Sequence, residues 1–459
     1  MDEMEVLAEH VAGTDFGSLP EQTRYSSKVA VVDLIGVAIA GSTAPGCDAV
    51  LNSLKAWAGP RSSTVIAHDL SLPAIHAAFA NSTFAHALDY DDTHELAQLH
   101  ATAAIIPAAL AVAEEAGGVS GKDFITAIAL GVDVAARLSM ALRSNMHDGW
   151  VPASLFAGFG AVAAVAKILS LSAEQTRNAF GIFYGQSSGN RQALLDGALA
   201  KRLQPAFAAM QAIYATNFAK GGITGATKVV GGKYGLAELY AGGKASREEI
   251  TKELGQRFEI TNLSFKSYPC CRGTHAAIEG ALRIVRRENL DPDAVDGVEV
   301  SVAPFTFDLV GSPFQIRDNP QVDAQFSIPY TVAVAIKRRA VGLSDFQPEV
   351  VVNDAEVQRL AARIVVRPDL HRFNSDTDPA RTIVRIRCQD GRELVDRVGT
   401  LKGEPKNPLT IAECVEKYRS CTSFAPMQFA ADKAQRLLEI LLDLERVADI
   451  RQVGRCLAA

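Results

Sequence analysis

The stretch KDFITAIALGVDVAARLSMALR (122–143) decides the fold class. Its apolar residues recur at helical spacing, yet alanine and glycine also fall on the remaining faces. A helix with so little polar surface is buried on more than one side, and its small side chains let neighbouring helices come close. The same texture recurs in FAGFGAVAAVAKILSL (156–171) and QPAFAAMQAIYATNFAKGG (204–222), the latter closing on Lys220-Gly221-Gly222, a helix stop. This regime extends outward to the start of the chain and to about Leu263. From about Ser264 to Thr400 the pattern changes. GVEVSV (297–302) alternates, Ile364 to Val366 is β-branched, and TIVRIRCQDGRELVDRV (382–398) predicts a hairpin turning at Asp390-Gly391. Helical spacing returns between these at 274–287 and 354–362, and again in the tail at 411–421 and 426–444. The predicted fold class is α plus α/β in two domains: a large all-helical domain over 1–263, a smaller α+β domain over 264–400, and C-terminal helices over 401–459 that return to the helical domain.

At 459 residues the chain exceeds the size at which one core keeps growing, which independently favours two domains. A net charge of −6 leaves no electrostatic footprint for nucleic acid or an anionic membrane. Apolar runs such as Ala101 to Val112 fall short of the ~20 residues that span a bilayer, so no membrane segment is expected. The opening MDEMEVLAEHVAG is acidic and amphipathic, unlike a targeting peptide. Seven scattered cysteines without a CxxC spacing favour a cytoplasmic setting over a disulfide framework or zinc site.

HALDYDDTHELAQLHATAAIIP (86–107) carries the chemistry. Asp89, Asp91, Asp92 and Glu95 crowd together with His86, His94, His100 and Thr93, and the segment then runs directly into an apolar helix. Such carboxylates repel one another and are costly to desolvate without partners, so the cluster marks a candidate site. Asp and His at this spacing also suit a divalent metal, with His86, Asp89, Asp91, Asp92 and His94 as ligands.

Three other segments stand out. In FKSYPCCRGTHAAIEGALRIV (265–285), Lys266, Arg272 and His275 crowd a helix start for which Thr274 is the candidate cap, a natural place for a carboxylate; the alternative is a structural domain joint. In GALAKRLQPAFAA (197–209), Lys201 and Arg202 oppose a helix dipole, which calls for an anion, an acidic neighbour or simple solvation, the last favoured by the sequence alone. In AQFSIPYTVAVAI (324–336), Tyr330 is either a satisfied core phenol or a donor to substrate. GGITGATKVVGGKYG (221–235) lacks phosphate-loop spacing, and no usable GxGxxG or GxSxG occurs.

Taken in order, HALDYDDTH, HATAAIIPAALAVAEEAG, KSYPCCRGTHAAIEGAL and AQFSIPYTVAVA resemble the MmgE/PrpD family over nearly the whole chain. The resemblance implies a cofactor-independent enzyme, dimeric in most members, acting on a di- or tricarboxylate. Known activities in the family are 2-methylcitrate dehydration, cis-aconitate decarboxylation and iminodisuccinate epimerisation. It marks Asp89, Thr93, His100, Lys201, Lys266 and Tyr330. His100, Lys266, Tyr330 and Asp89 are the expected catalytic groups; Thr93, Lys201, Arg272 and His275 are expected to bind substrate, and no metal is expected.

Two departures bear on the reaction. Many relatives carry histidines where this chain has Val151, in GWVPAS, and Gln204, in KRLQ; His147 lies nearby but is displaced along the backbone. Without those histidines, protonation of a leaving group or carbanion is harder, so the sequence favours epimerisation of an aminodicarboxylic acid such as iminodisuccinate. Dehydration of 2-methylcitrate or a decarboxylation is the alternative. A metal-dependent lyase or hydrolase, and an inactive helical scaffold, are the remaining readings.

Overall fold

The computed structural model describes residues 2–57, 59–370, 381–426 and 429–459. It divides into two compact units, Met1–Ala193 with Ala200–Phe265 and Thr410–Ala459, and Leu194–Leu199 with Lys266–Leu409. The first is a large helical domain and the second a smaller α+β domain.

In the helical unit, the decisive stretch forms the helix Gly121–Leu142, packed against Pro152–Ile168. A Cβ on Gly160 would stand 2.4 Å from the Gly131 carbonyl oxygen, and one on Gly131 2.8 Å from that of Gly160. Only glycine permits this backbone-to-backbone contact. The segment Gly121–Asn145 is in fact long and apolar enough to cross a membrane, which the apolar run lengths had argued against, but 94% of its apolar window is buried inside the fold.

Pro107 lies inside the helix Thr102–Ala116 and brings no N–H for the Ala103 carbonyl one turn back. Ser82, on the adjacent helix Ala74–Ala87, donates its hydroxyl to that carbonyl at 2.6 Å. The orphaned acceptor is thus satisfied across the helix pair. The helix Ile411–Thr422 packs on Glu21–Gly41, where a Cβ on Gly36 would meet the Tyr418 ring at 3.1 Å. The tail helix is shorter than expected, Ala431–Leu442, and residues 427 and 428 of the expected span lie outside the described residues.

In the second unit four strands run in the spatial order Ile364–Pro368, Val295–Val302, Thr382–Cys388, Glu393–Val398. The first pair is parallel and the others antiparallel, with Val298 opposite both Ile364 and Ile386. The hairpin turns at Asp390-Gly391, where Gly391 takes φ 87°. Val298, Val300, Val302, Val384 and Ile386 face the core with Ile278, Leu282 and Val285 of the helix Arg272–Arg287. Glu299, Arg367, Arg385 and Arg387 lie on the outer side in ion pairs.

Thr274 is not the cap of that helix. The helix begins at Arg272 after Cys271, and the Thr274 hydroxyl, already in the first turn, donates back to the Cys271 carbonyl at 2.9 Å.

Candidate active site

The helix Ala74–Ala87 ends at Leu88, and Asp89 follows in the left-handed region at φ 51°. Aspartate is among the few side chains that tolerate this conformation. The chain then crosses the interior of the helical unit until Thr102 starts the next helix, so every backbone group along the way needs a partner. Thr93–His94 pair antiparallel with Leu263–Ser264. Asp92 accepts from the backbone N–H groups of Ala101 at 3.3 Å and Thr102 at 3.2 Å, and from the Thr102 hydroxyl. A carboxylate at a helix N-terminus suits the dipole. Burial, reinforced by Asp91, outweighs those bonds and pushes the Asp92 carboxyl up to about 7.

Around this crossing, four expected residues come together in one unit. Lys201, in the turn before the helix Gln204–Lys220, forms an ion pair with Asp89. The acidic neighbour required by the basic pair is therefore Asp89. Solvation of the pair is overturned: the Arg202 side chain is buried and donates to the Pro45 carbonyl at 2.5 Å.

His100 Nδ1 lies 2.7 Å from the Asp92 carbonyl oxygen and 3.3 Å from Thr93 Oγ1. A carbonyl only accepts, so Nδ1 carries the hydrogen, and the neutral ring keeps its basic lone pair on Nε2. The Asp91 carboxylate stands 3.8 Å behind that Nδ1, placed to stabilise an imidazolium, and the His100 side chain is 24% exposed.

Asp91 is shared. Its Oδ2 also lies 2.8 Å from His86 Nδ1, and the two imidazole rings are 5.2 Å apart. Burial pushes the His86 pKa down, against the pull of Asp91 and with the help of Lys201, and Nδ1 faces the Asp91 carboxylate as donor.

His94 faces elsewhere. Its Nδ1 accepts from Ala97 N at 3.1 Å, so Nε2 donates to Glu259 at 3.2 Å. Burial favours the protonated Glu259, but the bonds from His94 and Asn262, with Arg257, hold its carboxyl at about 2. The five-ligand metal arrangement is not formed: Asp89 turns to Lys201, Asp92 to Thr102 and His94 to Glu259. Among the described residues no three His, Cys, Asp or Glu side chains gather as metal ligands.

Two contributors escaped the sequence reading. Asp33, from the helix Glu21–Gly41, and Lys417, from Ile411–Thr422, form a buried ion pair of 2.7 Å, and Lys417 Nζ donates to the Tyr90 carbonyl at 2.9 Å. A signal existed for Asp33, the lone charge in VAVVDLIGVAIAG (29–41), since a carboxylate inside an apolar helix requires a cation.

The two departures share one neighbourhood. Val151 precedes the helix Pro152–Ile168 and its N–H bonds the Gly189 carbonyl at 3.2 Å. The Gln204 amide accepts from Ser154 Oγ at 3.1 Å and donates to the Asn190 carbonyl at 2.8 Å. Its polar atoms serve the fold. His147 Nδ1 accepts from Gly149 N at 3.0 Å.

Lys266, Arg272, His275 and Tyr330 belong to the second unit. Lys266 is its first residue in this part of the chain and is buried. Arg272 opens a helix and donates to Glu404 at 3.3 Å and to His275 Nδ1 at 3.2 Å. His275 therefore carries its hydrogen on Nε2, directed at the Cys270 carbonyl at 3.3 Å, and is wholly buried. His275 thus links Arg272 to the Cys270 carbonyl. The Tyr330 hydroxyl donates to the Asp345 carbonyl at 2.5 Å, between Phe314 and Phe346, and the residue is wholly buried.

The MmgE/PrpD N-terminal domain matches residues 5–249 and the C-terminal domain residues 268–446. The chain is 28% identical over 456 residues to a cis-aconitate decarboxylase-like protein of Aspergillus oryzae, spanning 95% of this chain and 93% of that one. It is 25% identical to cis-aconitate decarboxylase of Aspergillus terreus, over 94% and 91% of the two chains. Identity to the human cis-aconitate decarboxylase is also 25%, over 97% and 92%.

Proposed function

The chain belongs to the MmgE/PrpD family, and from that premise we propose that it is an acid/base lyase acting on a di- or tricarboxylate, with His100 moving the proton. The observation that carries this reading is the hold on His100: Nδ1 committed to the Asp92 carbonyl, with the Asp91 carboxylate behind it, on a side chain that is partly exposed. In a decarboxylation the bond to the departing carboxylate breaks, carbon dioxide leaves, and the electron pair stays on carbon. A protonated His100 would then supply that carbon with its hydrogen. Lys201, in the same unit as His100, is the proposed carboxylate-holding cation. The names of the relatives favour a lyase over an isomerase. Following the family's habit, the active form is proposed to be a homodimer.

A second reading, epimerisation of an aminodicarboxylate such as iminodisuccinate, is favoured by one observation. Neither Val151 nor Gln204 offers an ionisable proton donor, and the Gln204 amide is held by Ser154 and Asn190. Epimerisation needs only removal and return of one proton.

The test is proton NMR of the purified protein in D₂O with cis-aconitate, 2-methylcitrate and iminodisuccinate stereoisomers in separate tubes. The lyase reading expects loss of cis-aconitate with a product one carboxylate smaller bearing solvent deuterium, or a new alkene from 2-methylcitrate. Interconversion of iminodisuccinate isomers with deuterium at the α-carbon, and no loss of the other two, replaces it with the epimerase. No change in any tube overturns both.

A further inference from the structure

The Asp89–Asp92 crossing is held by a residue from the far end of the chain. Lys417 sits in the helix Ile411–Thr422 with its side chain only 5% exposed. Its ammonium is 2.7 Å from Asp33 Oδ1, donates to the Tyr90 carbonyl at 2.9 Å, and lies 3.9 Å from the centroid of the Tyr90 ring. The close approach of Gly36 to Tyr418 fixes how near the two helices lie, and so where this ammonium is delivered.

Tyr90 is the residue between Asp89, which meets Lys201, and Asp91, which meets both His86 and His100. The Tyr90 carbonyl carbon is bonded to the Asp91 nitrogen, so a shift of that peptide moves the Asp91 Cα and disturbs the carboxylate contacts of 2.8 and 3.8 Å to the two rings. Stability alone is a weak account of the pair. A buried ion pair gains little over uncharged side chains of similar size, because both charges must leave water, whereas it does specify geometry. The cation–π contact and the carbonyl bond act on the same residue, which pins both its ring and its backbone.

We propose that Lys417 is a positioning residue for the acid/base site: acting through Tyr90, it sets the place of Asp91 and thereby the orientation of His86 and His100. The proposal deepens the His100 reading and rests on it.

Lys417→Met alone leaves Asp33 buried and uncompensated and endangers folding, so the informative protein is the doubly neutral D33N/K417M variant beside Lys417→Arg. Each is compared with wild type in turnover of cis-aconitate and in the ¹⁵N spectrum of histidine-labelled protein, which reports which ring nitrogen carries the hydrogen. We expect D33N/K417M to fold cooperatively, to lose about tenfold or more in kcat with KM nearly unchanged, and to show altered His86 and His100 nitrogen signals. Lys417→Arg should recover part of both. A folded D33N/K417M with wild-type kcat, or with wild-type histidine signals, overturns the proposal. If wild type turns over no cis-aconitate, the reading of the reaction fails separately, and the histidine signals alone still decide whether Lys417 holds the site.

Discussion

A histidine in water gives and takes protons on either nitrogen; the Asp92 carbonyl at 2.7 Å removes that choice for His100. The segment HALDYDDTHELAQLH made the residue a candidate, since it crowds acids and bases at the start of a buried helix. Which nitrogen is basic followed only from a backbone contact eight residues back. Replacing His100 with Asn should keep the fold and lower kcat by about a hundredfold or more, with a smaller effect on KM. Steady-state rates on the substrate identified by NMR, with circular dichroism to confirm folding, check it; a loss below about tenfold would reduce the residue to a structural one. Tyr330 is a case that the sequence left to the fold. Its place in an uncharged run favoured burial, the family resemblance favoured catalysis, and the Asp345 carbonyl takes its hydroxyl. A phenol's partner depends on what packs above it, which local sequence does not contain.

At the scale of elements, periodicity located the helices and the alternating strands, because each pattern reports directly which face is buried. Ends were harder. Thr274 looked like a cap by residue type, yet the chain enters the helix two residues earlier and the hydroxyl turns back to Cys271. The helix Thr102–Ala116 follows Ala101, which has no capping side chain, and Asp92 from the preceding crossing accepts its first N–H groups instead. That carboxyl makes stability depend on pH. Burial raises the Asp92 carboxyl from 3.8 to about 7, so above pH 4 the native state retains a proton that the unfolded chain has lost. Its contribution is therefore full below about pH 4 and fades as pH climbs through 7. Asp92→Asn should remove this dependence, so that the variant gains on wild type steadily over that window. Urea unfolding of both proteins at intervals from pH 4 to 8 reads it, and parallel stability curves would refute it.

Across the whole molecule, buried ionic networks join segments far apart in sequence. Arg137, wholly buried in the helix Gly121–Leu142, pairs with Asp133 at 2.8 Å and donates to the carbonyls of Lys252 and Arg257, each at 2.7 Å. Asp133 in turn accepts from Glu259 N at 2.9 Å. Removing the cation would leave a buried carboxylate and unsatisfied carbonyls, so Arg137→Met should cost about 3–5 kcal/mol in unfolding free energy. Chemical denaturation measures this, and a loss under about 1 kcal/mol would mean that the segment 250–259 is held by apolar packing alone. The sequence by itself determined the helical and α+β character and the family, because hydrophobic period, turn residues and motif order are local and survive without knowledge of contacts. Only the tertiary structure decided which carboxylate meets which cation. Lys201 meets Asp89 from 112 residues away, and Lys417 reaches Tyr90 across 327. A buried charge takes the partner that the fold carries to it, and no spacing along the chain records that distance.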